Sequence, residues 1–323
     1  MLMRTELDAA GINNPRLREA YRRCREINAA HGRTFFLATQ LLAPDQRPPI
    51  HALYGFARYA DDILDEVNPS LGPEIRRQQL DELSRRFFAG QDRTGGTDEP
   101  VLTAVHDTAR RYGITADLFE DFLESMLMDL TVTDYPNRAA INHYMRGSAE
   151  VIGLQVLPIL GTVAPVEETA PHAEALGRAF QLTNFLRDID EDLGRGRIYL
   201  PADELAVHGV DRELLMWCHD NRRTDPRVRD ALEEQHVITR QTYRYAADGI
   251  PKLAPRSRPC VAAALTLYSE ILDQIEASGF AVFGQRMSVG TMRRLQVATA
   301  GIARAWWARA RHNDLGHGRR TTR

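Results

Sequence analysis

Apolar side chains recur along this chain with the three- and four-residue spacing of amphipathic helices. One stripe comprises Leu17, Ala20, Tyr21 and Cys24, and another comprises Leu118, Phe122, Met126 and Leu130. Residues at this spacing share one helical face, so each stripe predicts a helix with one buried side. Alternating β-branched segments are scarce, and no Asn-Gly or Asp-Gly turn lies between such segments. The pattern therefore predicts an all-α fold.

Helix-breaking residues interrupt this pattern at Asn68-Pro69 and Gly72-Pro73, at residues 91–100 and at residues 251–259. None of these breaks is long or biased enough to separate two domains, and no fixed-period repeat is visible. We therefore expect residues 1–323 to form a single α-helical isoprenoid-synthase-like domain, with a core over about residues 20–295 and a tail over about residues 311–323. The longest uncharged stretch, residues 151–166, is too short to span a bilayer and predicts a buried core helix.

Composition and charge are those of an ordinary soluble protein. The 323 residues are 43% hydrophobic and 26% charged, and a formal net charge of -3 gives no sign of a nucleic-acid binder. Cys24, Cys218 and Cys260 stand far apart, so they indicate neither a zinc knuckle nor a disulfide framework. No apolar signal-peptide segment follows the N-terminus. These features together predict a reduced, cytoplasmic setting.

The first chemical signal is a cluster of acids at the end of the segment from Arg58 to Asp65. Asp61 and Asp65 are four residues apart and share one face of a helix. Two like charges at this spacing destabilise a helix unless a cation lies between them. Ile63 and Leu64 give the same helix an apolar side. The pair therefore indicates a metal site beside an interior cavity.

A second cluster forms a ladder of oxygen-bearing side chains, Gln181, Asn184, Asp188 and Asp192. Mg²⁺ prefers oxygen ligands and is usually held by one or two carboxylates, waters and substrate phosphates. Two facing acid clusters would clamp a diphosphate through Mg²⁺, or through Mn²⁺ in its place, and favour ionisation of an allylic C–O bond. An apolar cavity would keep the resulting carbocation from water. The pattern thus indicates a metal-dependent enzyme that acts on allylic diphosphates.

Two other interpretations of these acids stay open at this point. A single pair of acids four residues apart is common on a solvated helix surface, although two such clusters, one beside Arg58 and one beside Arg187, are rarer. The second alternative is a ferritin-like di-metal bundle. Such a bundle requires Glu-x-x-His motifs from two helices, and only Glu233 to His236 has that spacing.

Longer motifs around these residues resemble the squalene and phytoene synthase family. The matching segments are residues 181–201 for the second aspartate-rich motif, 54–65 for the first, 31–38 for the flap and 144–153 for the central helix, with Tyr268, Gly279, Phe283 and Arg286 near the end. The resemblance implies an isoprenoid synthase helical bundle around a central cavity. It also implies a prenyltransferase of carotenoid biosynthesis that joins two geranylgeranyl diphosphates through a cyclopropyl diphosphate to give phytoene. The likeness is greatest to bacterial members that form phytoene.

The resemblance also implies roles for individual positions. The implied metal ligands are Asp61, Asp65, Asn184, Asp188 and Asp192, and the four aspartates are also implied catalytic residues. The implied substrate contacts are His31, Thr34, Phe35, Arg58, Gln181, Asn184, Arg187, Arg197 and Arg286. Arginine suits such contacts because a guanidinium pairs bidentately with phosphate oxygens. Tyr54 and Tyr144 are expected to line the cavity near the carbocation.

Some positions depart from the family pattern or have a separate interpretation. Gly32 stands where the family commonly has Ser, so its backbone N–H would have to contact phosphate. Arg293 and Arg294 stand near the place of a family Lys. The segment from Tyr199 to Pro201 is expected to stop a helix and pack its end.

Substrate length and partners are left open by the motifs. The alternatives within the family are squalene, dehydrosqualene and hydroxysqualene synthases, which would use farnesyl diphosphate; formation of phytoene implies no NADPH. A prenyl chain elongase and a non-catalytic helical partner protein are further alternatives. Trp306 and Trp307 lie among arginines, a pattern that suits peripheral membrane contact but also packing on the core. The expected partners are prenyl diphosphates and carotenoid-pathway enzymes, with no nucleic acid.

Overall fold

The computed structural model describes residues 2–64, 72–90 and 98–284 and is predominantly helical across them. The helices of the first half are α1 Leu2–Ala9, α2 Pro15–His31, α3 Arg33–Thr39, α4 Arg47–Leu64, α5 Pro73–Gly90, α6 Pro100–Tyr112 and α7 Asp117–Met128. Those of the second half are α8 Arg138–Met145, α9 Val151–Leu160, α10 Val166–Arg187, α11 Ile189–Gly194, α12 Ala202–Val207, α13 Arg212–Asn221, α14 Pro226–Ala247 and α15 Arg258–Ala277. A π-helical turn at Arg146–Glu150 joins α8 to α9. The prediction of an all-α fold is confirmed.

Several positions singled out from the sequence lie outside the described residues. They are Asp65, Arg286, Arg293, Arg294, Trp306 and Trp307, together with the side chain of Thr34. The tail expected over residues 311–323 lies outside them as well.

Three phenylalanines form the centre of the N-terminal helices. Phe56 of α4, Phe87 of α5 and Phe119 of α7 are all at most 2% exposed, and their ring centroids lie 4.6–5.5 Å apart. Buried aromatic pairs at these separations add to the stabilisation from area burial alone. Because α4 also carries Asp61, this packing sets the direction in which the first acid cluster faces.

The long helix α10 runs through the second half of the molecule and packs against the π-helical turn, α9, α14 and α15. Glycines allow the closest of these approaches. A Cβ atom on Gly153 would lie 2.3 Å from the carbonyl oxygen of Ala173, and one on Gly177 would lie 2.3 Å from that of Ala149. Since no side chain fits at such distances, glycine at positions 153 and 177 is what permits α10 to approach α9 and the π-helical turn so closely.

The segment from Tyr199 to Pro201 does not stop a helix as expected. It belongs to strand β2, Ile198–Pro201, which pairs in parallel with strand β1, Asp134–Tyr135. Helix α12 begins directly after the strand, at Ala202. The expectation was wrong because the sheet has only two strands among the described residues, so β2 is an edge strand, and an edge strand tolerates a proline that lacks an amide donor.

The predicted core helix over residues 151–166 forms over only part of that stretch. Helix α9 ends at Leu160, because Gly161 adopts a φ of 73° and leaves the helical conformation. Val163 and Val166, beyond it, are 63% and 54% exposed. Among the described residues, no helix combines the length and apolar character needed to cross a bilayer.

The close approach at Gly177 yields a stability prediction. We expect Gly177→Ala to lower the free energy of unfolding by about 1–3 kcal/mol, because the new methyl group must push α10 away from the carbonyl of Ala149. Chemical denaturation measures the change. Gly194→Ala is the matched control, since a Cβ there meets its nearest neighbour at an ordinary 3.6 Å. An equal effect of the two substitutions would contradict the packing argument.

Candidate active site

The second acid cluster spans the junction of α10 and α11. Gln181 and Asn184 lie in the last turns of α10, Asp188 lies between the two helices, and Asp192 lies on α11. The amide of Asp188 donates to the carbonyl of Asn184 and the amide of Asp192 donates to that of Asp188, each at 2.8 Å. Helical hydrogen bonds therefore continue through the junction. The predicted ladder of Asn184, Asp188 and Asp192 shares one face.

An interior cavity of about 360 Å³ meets this ladder at one end. Its wall is mostly apolar and is formed by α3, α4, α9, α10, α14 and α15, with Leu42, Val156, Leu157, Leu160, Leu253 and Val261 among the lining residues. Gln181 and Asn184 belong to both the cavity wall and the acid ladder. The cavity thus combines a mostly apolar wall with the polar side chains of Gln181 and Asn184, an arrangement that suits an apolar ligand with a polar head.

Two buried polar atoms on the cavity wall have no hydrogen-bond partner among the described residues. They are Oδ1 of Asn184 and Oγ of Ser148, the latter in the π-helical turn. An unsatisfied buried polar atom costs about 1–3 kcal/mol. That cost is recovered when a bound ion or ligand supplies the missing partner, so the pair marks where a polar ligand group fits.

The electrostatics of the ladder favour a cation. Burial, and after it the neighbouring negative charge of Asp188, raises the pKa of the Asp192 carboxyl to about 7. Asp188 itself receives Nε–H and Nη2–H bonds from Arg187, at 2.8 and 2.5 Å. Burial and a neighbouring negative charge destabilise the ionised form of such a carboxyl group, and a metal ion beside it would stabilise that form.

The candidate ligand atoms are of the type that binds Mg²⁺. Asp188, Asp192 and the unpartnered Oδ1 of Asn184 offer only oxygen, as Mg²⁺ prefers. Across residues 2–64, 72–90 and 98–284, no three His, Cys, Asp or Glu side chains gather tightly enough to hold a metal alone. A magnesium ion that takes several ligands from substrate phosphates and water does not require such a gathering.

The arginines expected to contact diphosphate differ in their surroundings. Arg58 pairs with Asp62, at 2.5 Å from Nη2 to Oδ1, and Arg187 pairs with Asp188, so both stand beside the acid clusters. Arg197 instead donates from Nη2 to the backbone carbonyl of Asp129 at 2.7 Å. Its guanidinium therefore faces a buried cluster behind the ladder.

Aromatic rings surround the polar end of the cavity. Phe35, Phe180 and Tyr268 all line it, with centroids 5.6 Å apart for Phe35 and Tyr268 and 4.3 Å apart for Phe180 and Tyr268. Tyr54 packs beside Phe35 at 6.3 Å, and His31 lies exposed at the end of α2. The structure thus packs Tyr54 against Phe35 of the cavity wall, but Tyr54 is not itself one of the residues that line the cavity. Phe180 and Tyr268 were not assigned to the cavity from the sequence.

Tyr144 lies away from the cavity wall, in a second aromatic cluster built on a buried acid. The hydroxyls of Tyr144 and Tyr199 each donate to the Asp129 carboxyl at 2.9 Å, and burial raises the pKa of that carboxyl. The ring of Tyr199 stacks on Phe185 of α10 at 4.7 Å. Sequence reasoning missed Asp129; its only signal is a single acid directly after the last residue of α7, between Met126 and Leu130 of the apolar stripe.

Gly32 serves packing, and its amide is already used. The N–H donates to the carbonyl of Asn28 at 2.8 Å and ends α2. A Cβ here would lie 2.6 Å from Oδ1 of Asn28 and 2.7 Å from the Tyr54 ring. The expectation that this amide contacts phosphate is therefore wrong, since glycine at this position permits the close approach of Tyr54 instead.

The geometry gives no support to a ferritin-like di-metal site at Glu233 and His236. Both residues lie on α14, but Glu233 is exposed whereas His236 is buried and stacks edge-on against Phe280. The two side chains therefore face different surroundings.

Comparison with known proteins agrees with the geometry of the site. The family model for squalene/phytoene synthase matches residues 28–293. The chain is 36% identical to phytoene synthase 2 of Solanum lycopersicum, over 90% of this chain and 92% of the relative. It is 34% identical to phytoene synthase of Arthrospira platensis, over 86% of this chain and 90% of the relative.

A solved structure shares the fold. The crystal structure of a dehydrosqualene synthase in complex with ligand superposes with a TM-score of 0.78 and 24% identity, covering 89% of this chain and 96% of that one. A family match over most of the chain, together with relatives above 30% identity along nearly their whole length, leaves one assignment. This chain is a member of the squalene/phytoene synthase family.

Proposed function

We propose that the protein is a phytoene synthase, a prenyltransferase that condenses two geranylgeranyl diphosphates head to head in carotenoid biosynthesis. The observation that carries the proposal is the apolar cavity whose polar end is formed by Gln181 and Asn184 of the acid ladder. An allylic diphosphate has the same two parts, an apolar chain and a charged head. The identity to named phytoene synthases supports this product over a shorter one.

The reaction releases two diphosphates and two protons and requires no reductant. Ionisation of one diphosphate gives an allylic cation, which alkylates the second molecule, and loss of a proton then closes the cyclopropane ring of a cyclopropyl diphosphate. That intermediate ionises in turn, rearranges and loses a proton to form phytoene. In this proposal NADPH has no role.

The chain's own acids and arginines would handle the diphosphates. Asn184, Asp188 and Asp192, together with Asp61 and Asp65 of the first acid cluster in the sequence, would hold Mg²⁺. When bound, Mg²⁺ would neutralise charge on the departing diphosphate. Beside these acids, the Arg58 and Arg187 guanidinium groups would bind phosphate oxygens through paired N–H donors.

The cavity wall would protect the cation. Its apolar residues exclude water, which would otherwise capture the carbocation. Phe35, Phe180 and Tyr268 line the cavity, and the negative π density on the face of an aromatic ring stabilises a nearby cation by about 0.5–2 kcal/mol. These three rings therefore join Tyr54 as candidates for cation stabilisation.

The setting of the enzyme is part of the same proposal. We propose a cytoplasmic enzyme in peripheral contact with a membrane, because its substrates and product are lipids and Trp306 and Trp307 lie among arginines in the sequence. Association with other carotenoid-pathway enzymes would pass the apolar product onward.

A product assay tests the activity directly. Purified protein is given C15 or C20 diphosphate with Mg²⁺, each with and without NADPH, and the lipid extract is analysed by mass. We expect a C40 product from the C20 substrate that is independent of NADPH. A C30 product would instead identify a squalene-type enzyme, and no product from either substrate would refute the prenyltransferase assignment.

The role of Asp192 yields a second prediction. We expect Asp192→Asn to lower turnover by roughly a hundredfold or more, the usual effect of removing one preorganised electrostatic group. Glu191→Gln, at an exposed acid on the same helix, should retain parental turnover. Equal turnover of the parent and Asp192→Asn would remove Asp192 from the metal site.

The same variant has a predicted pH signature in the absence of metal. The folded pKa of Asp192, about 7, lies above its unfolded value of about 3.9. The folded state therefore binds an extra proton between these values, and the parent loses stability as pH rises through this window. Asp192→Asn lacks this loss, so its melting temperature should exceed the parent's by a margin that grows up to about pH 7. A margin independent of pH would contradict the assignment.

Chain length yields a further prediction, because Ala264 of α15 lines the cavity with a minimal side chain. Ala264→Phe should shorten the space for the prenyl chain and shift the preference from C20 toward C15 diphosphate. Competition between the two substrates, read as the ratio of C30 to C40 products, measures the shift. Ala262→Phe on the same helix, outside the cavity lining, is the size-matched control. An unchanged ratio in Ala264→Phe would show that this wall does not limit chain length.

A further inference from the structure

Asp190 lies between the expected metal ligands Asp188 and Asp192 in sequence, but its carboxylate contacts another part of the molecule. Its Oδ1 accepts the Nδ1–H of His219 on α13 at 2.6 Å. Its Oδ2 accepts the backbone N–H of Gly284 at 2.8 Å. One carboxylate therefore joins α11 to α13 and to the last described residue of the chain.

The segment that Asp190 holds is fixed at two further points. Thr224, just after α13, donates its hydroxyl to the carbonyl of Phe280 at 3.0 Å. Gly284 has a φ of 80° and sits so close to Arg222 that a Cβ on it would lie 3.0 Å from the Arg222 Cβ. Residues 280–284 thus pack beside the C-terminal end of α13, and the backbone N–H of Gly284 points toward Asp190 of α11.

Helix α11 depends on such anchors. With six residues it is far shorter than a helix that is stable alone. Ile189 and Leu193, 3% and 2% exposed, bury one side of it in the core. Asp190 supplies the polar anchor on another side, so the direction of Asp192 follows from how α11 is held.

We propose that Asp190 is a positioning residue whose carboxylate clamps α11 to His219 and Gly284, and thereby sets the placement of Asp192 for metal and diphosphate. The proposal rests on the proposed function only for the identity of the bound group. Asp190 acts here through hydrogen bonds and not as a ligand. The clamp also ties the acid ladder to the point from which the chain continues toward Arg286, two positions further in the sequence.

Two substitutions separate a clamp from a charge effect. Asp190→Asn retains both hydrogen bonds, because the Asn Oδ1 accepts from Gly284 and the Asn Nδ2 donates to His219 once the imidazole proton moves to Nε2. Asp190→Ala retains neither hydrogen bond. Glu191→Ala is the matched control, since it removes the neighbouring acid of α11, whose ion pair with Arg195 is exposed.

Hydrogen exchange of the full chain tests the clamp without any substrate. We expect the Gly284 amide to exchange about tenfold faster in Asp190→Ala, a change that corresponds to one lost hydrogen bond. Asp190→Asn and Glu191→Ala should exchange at the parental rate. Parental exchange at Gly284 in Asp190→Ala would overturn the proposal.

Titration with Mg²⁺ and inorganic pyrophosphate tests the consequence for the site. The readout is thermal stabilisation, with turnover measured in parallel. Asp190→Ala should require several-fold more Mg²⁺ for half-maximal stabilisation, whereas Asp190→Asn should match the parent. An equal increase in the Mg²⁺ requirement of Asp190→Ala and Asp190→Asn would indicate a charge effect and overturn the clamp. A parental Mg²⁺ requirement in Asp190→Ala would also overturn it.

If Asp190→Ala does not fold, His219→Ala takes its place, because it removes only one of the two partners of Asp190. His219→Ala should also increase the Mg²⁺ concentration needed for half-maximal stabilisation, but by a smaller factor than is expected for Asp190→Ala. A parental requirement in His219→Ala would overturn the clamp. The hydrogen-exchange result stands whatever the product of the enzyme, so failure of the clamp and failure of the phytoene synthase assignment are distinguishable.

Discussion

The rest of the site depends on holding several carboxylates at the edge of an apolar interior. Such an arrangement is unfavourable by itself, as the pKa of Asp192, raised to about 7 by burial and by Asp188, shows. A bound cation reverses this cost, because it supplies the opposite charge where water is scarce. The protein therefore maintains at its cavity end an electrostatic strain that a metal-bound diphosphate is suited to relieve.

Packing elsewhere in the molecule keeps that arrangement in place. The aromatic centre of Phe56, Phe87 and Phe119 directs α4. Contacts through Gly153 and Gly177 hold α10 against α9 and the π-helical turn so closely that no side chain fits between them. Because packed helices transmit displacement, a shift of α10 would move Asn184 and Asp188 together. Stability of the bundle and geometry of the site are thus coupled through the same helix.

Behind the ladder, a buried polar network takes the place of further apolar packing. Asp129 receives the hydroxyls of Tyr144 and Tyr199, and its backbone carbonyl receives Arg197. Each of these groups would be costly if left unpaired, so together they hold the aromatic cluster in a single arrangement. Two residues that the motifs marked for the substrate, Tyr144 and Arg197, are thereby engaged with protein groups in this structure.

The sequence by itself determined the helical class, the family and the face shared by Asn184, Asp188 and Asp192, because helical periodicity and short motifs are local properties of the chain. Tertiary structure alone decided which residues meet across long sequence separations. Examples are the cavity wall of Phe180 and Tyr268, the acceptor role of Asp129 and the bond between Asp190 and Gly284. The strand at Tyr199 was misjudged for the same reason, because it depends on pairing with the distant strand β1. At Gly32, the sequence did not reveal the close packing of Tyr54, which explains the glycine.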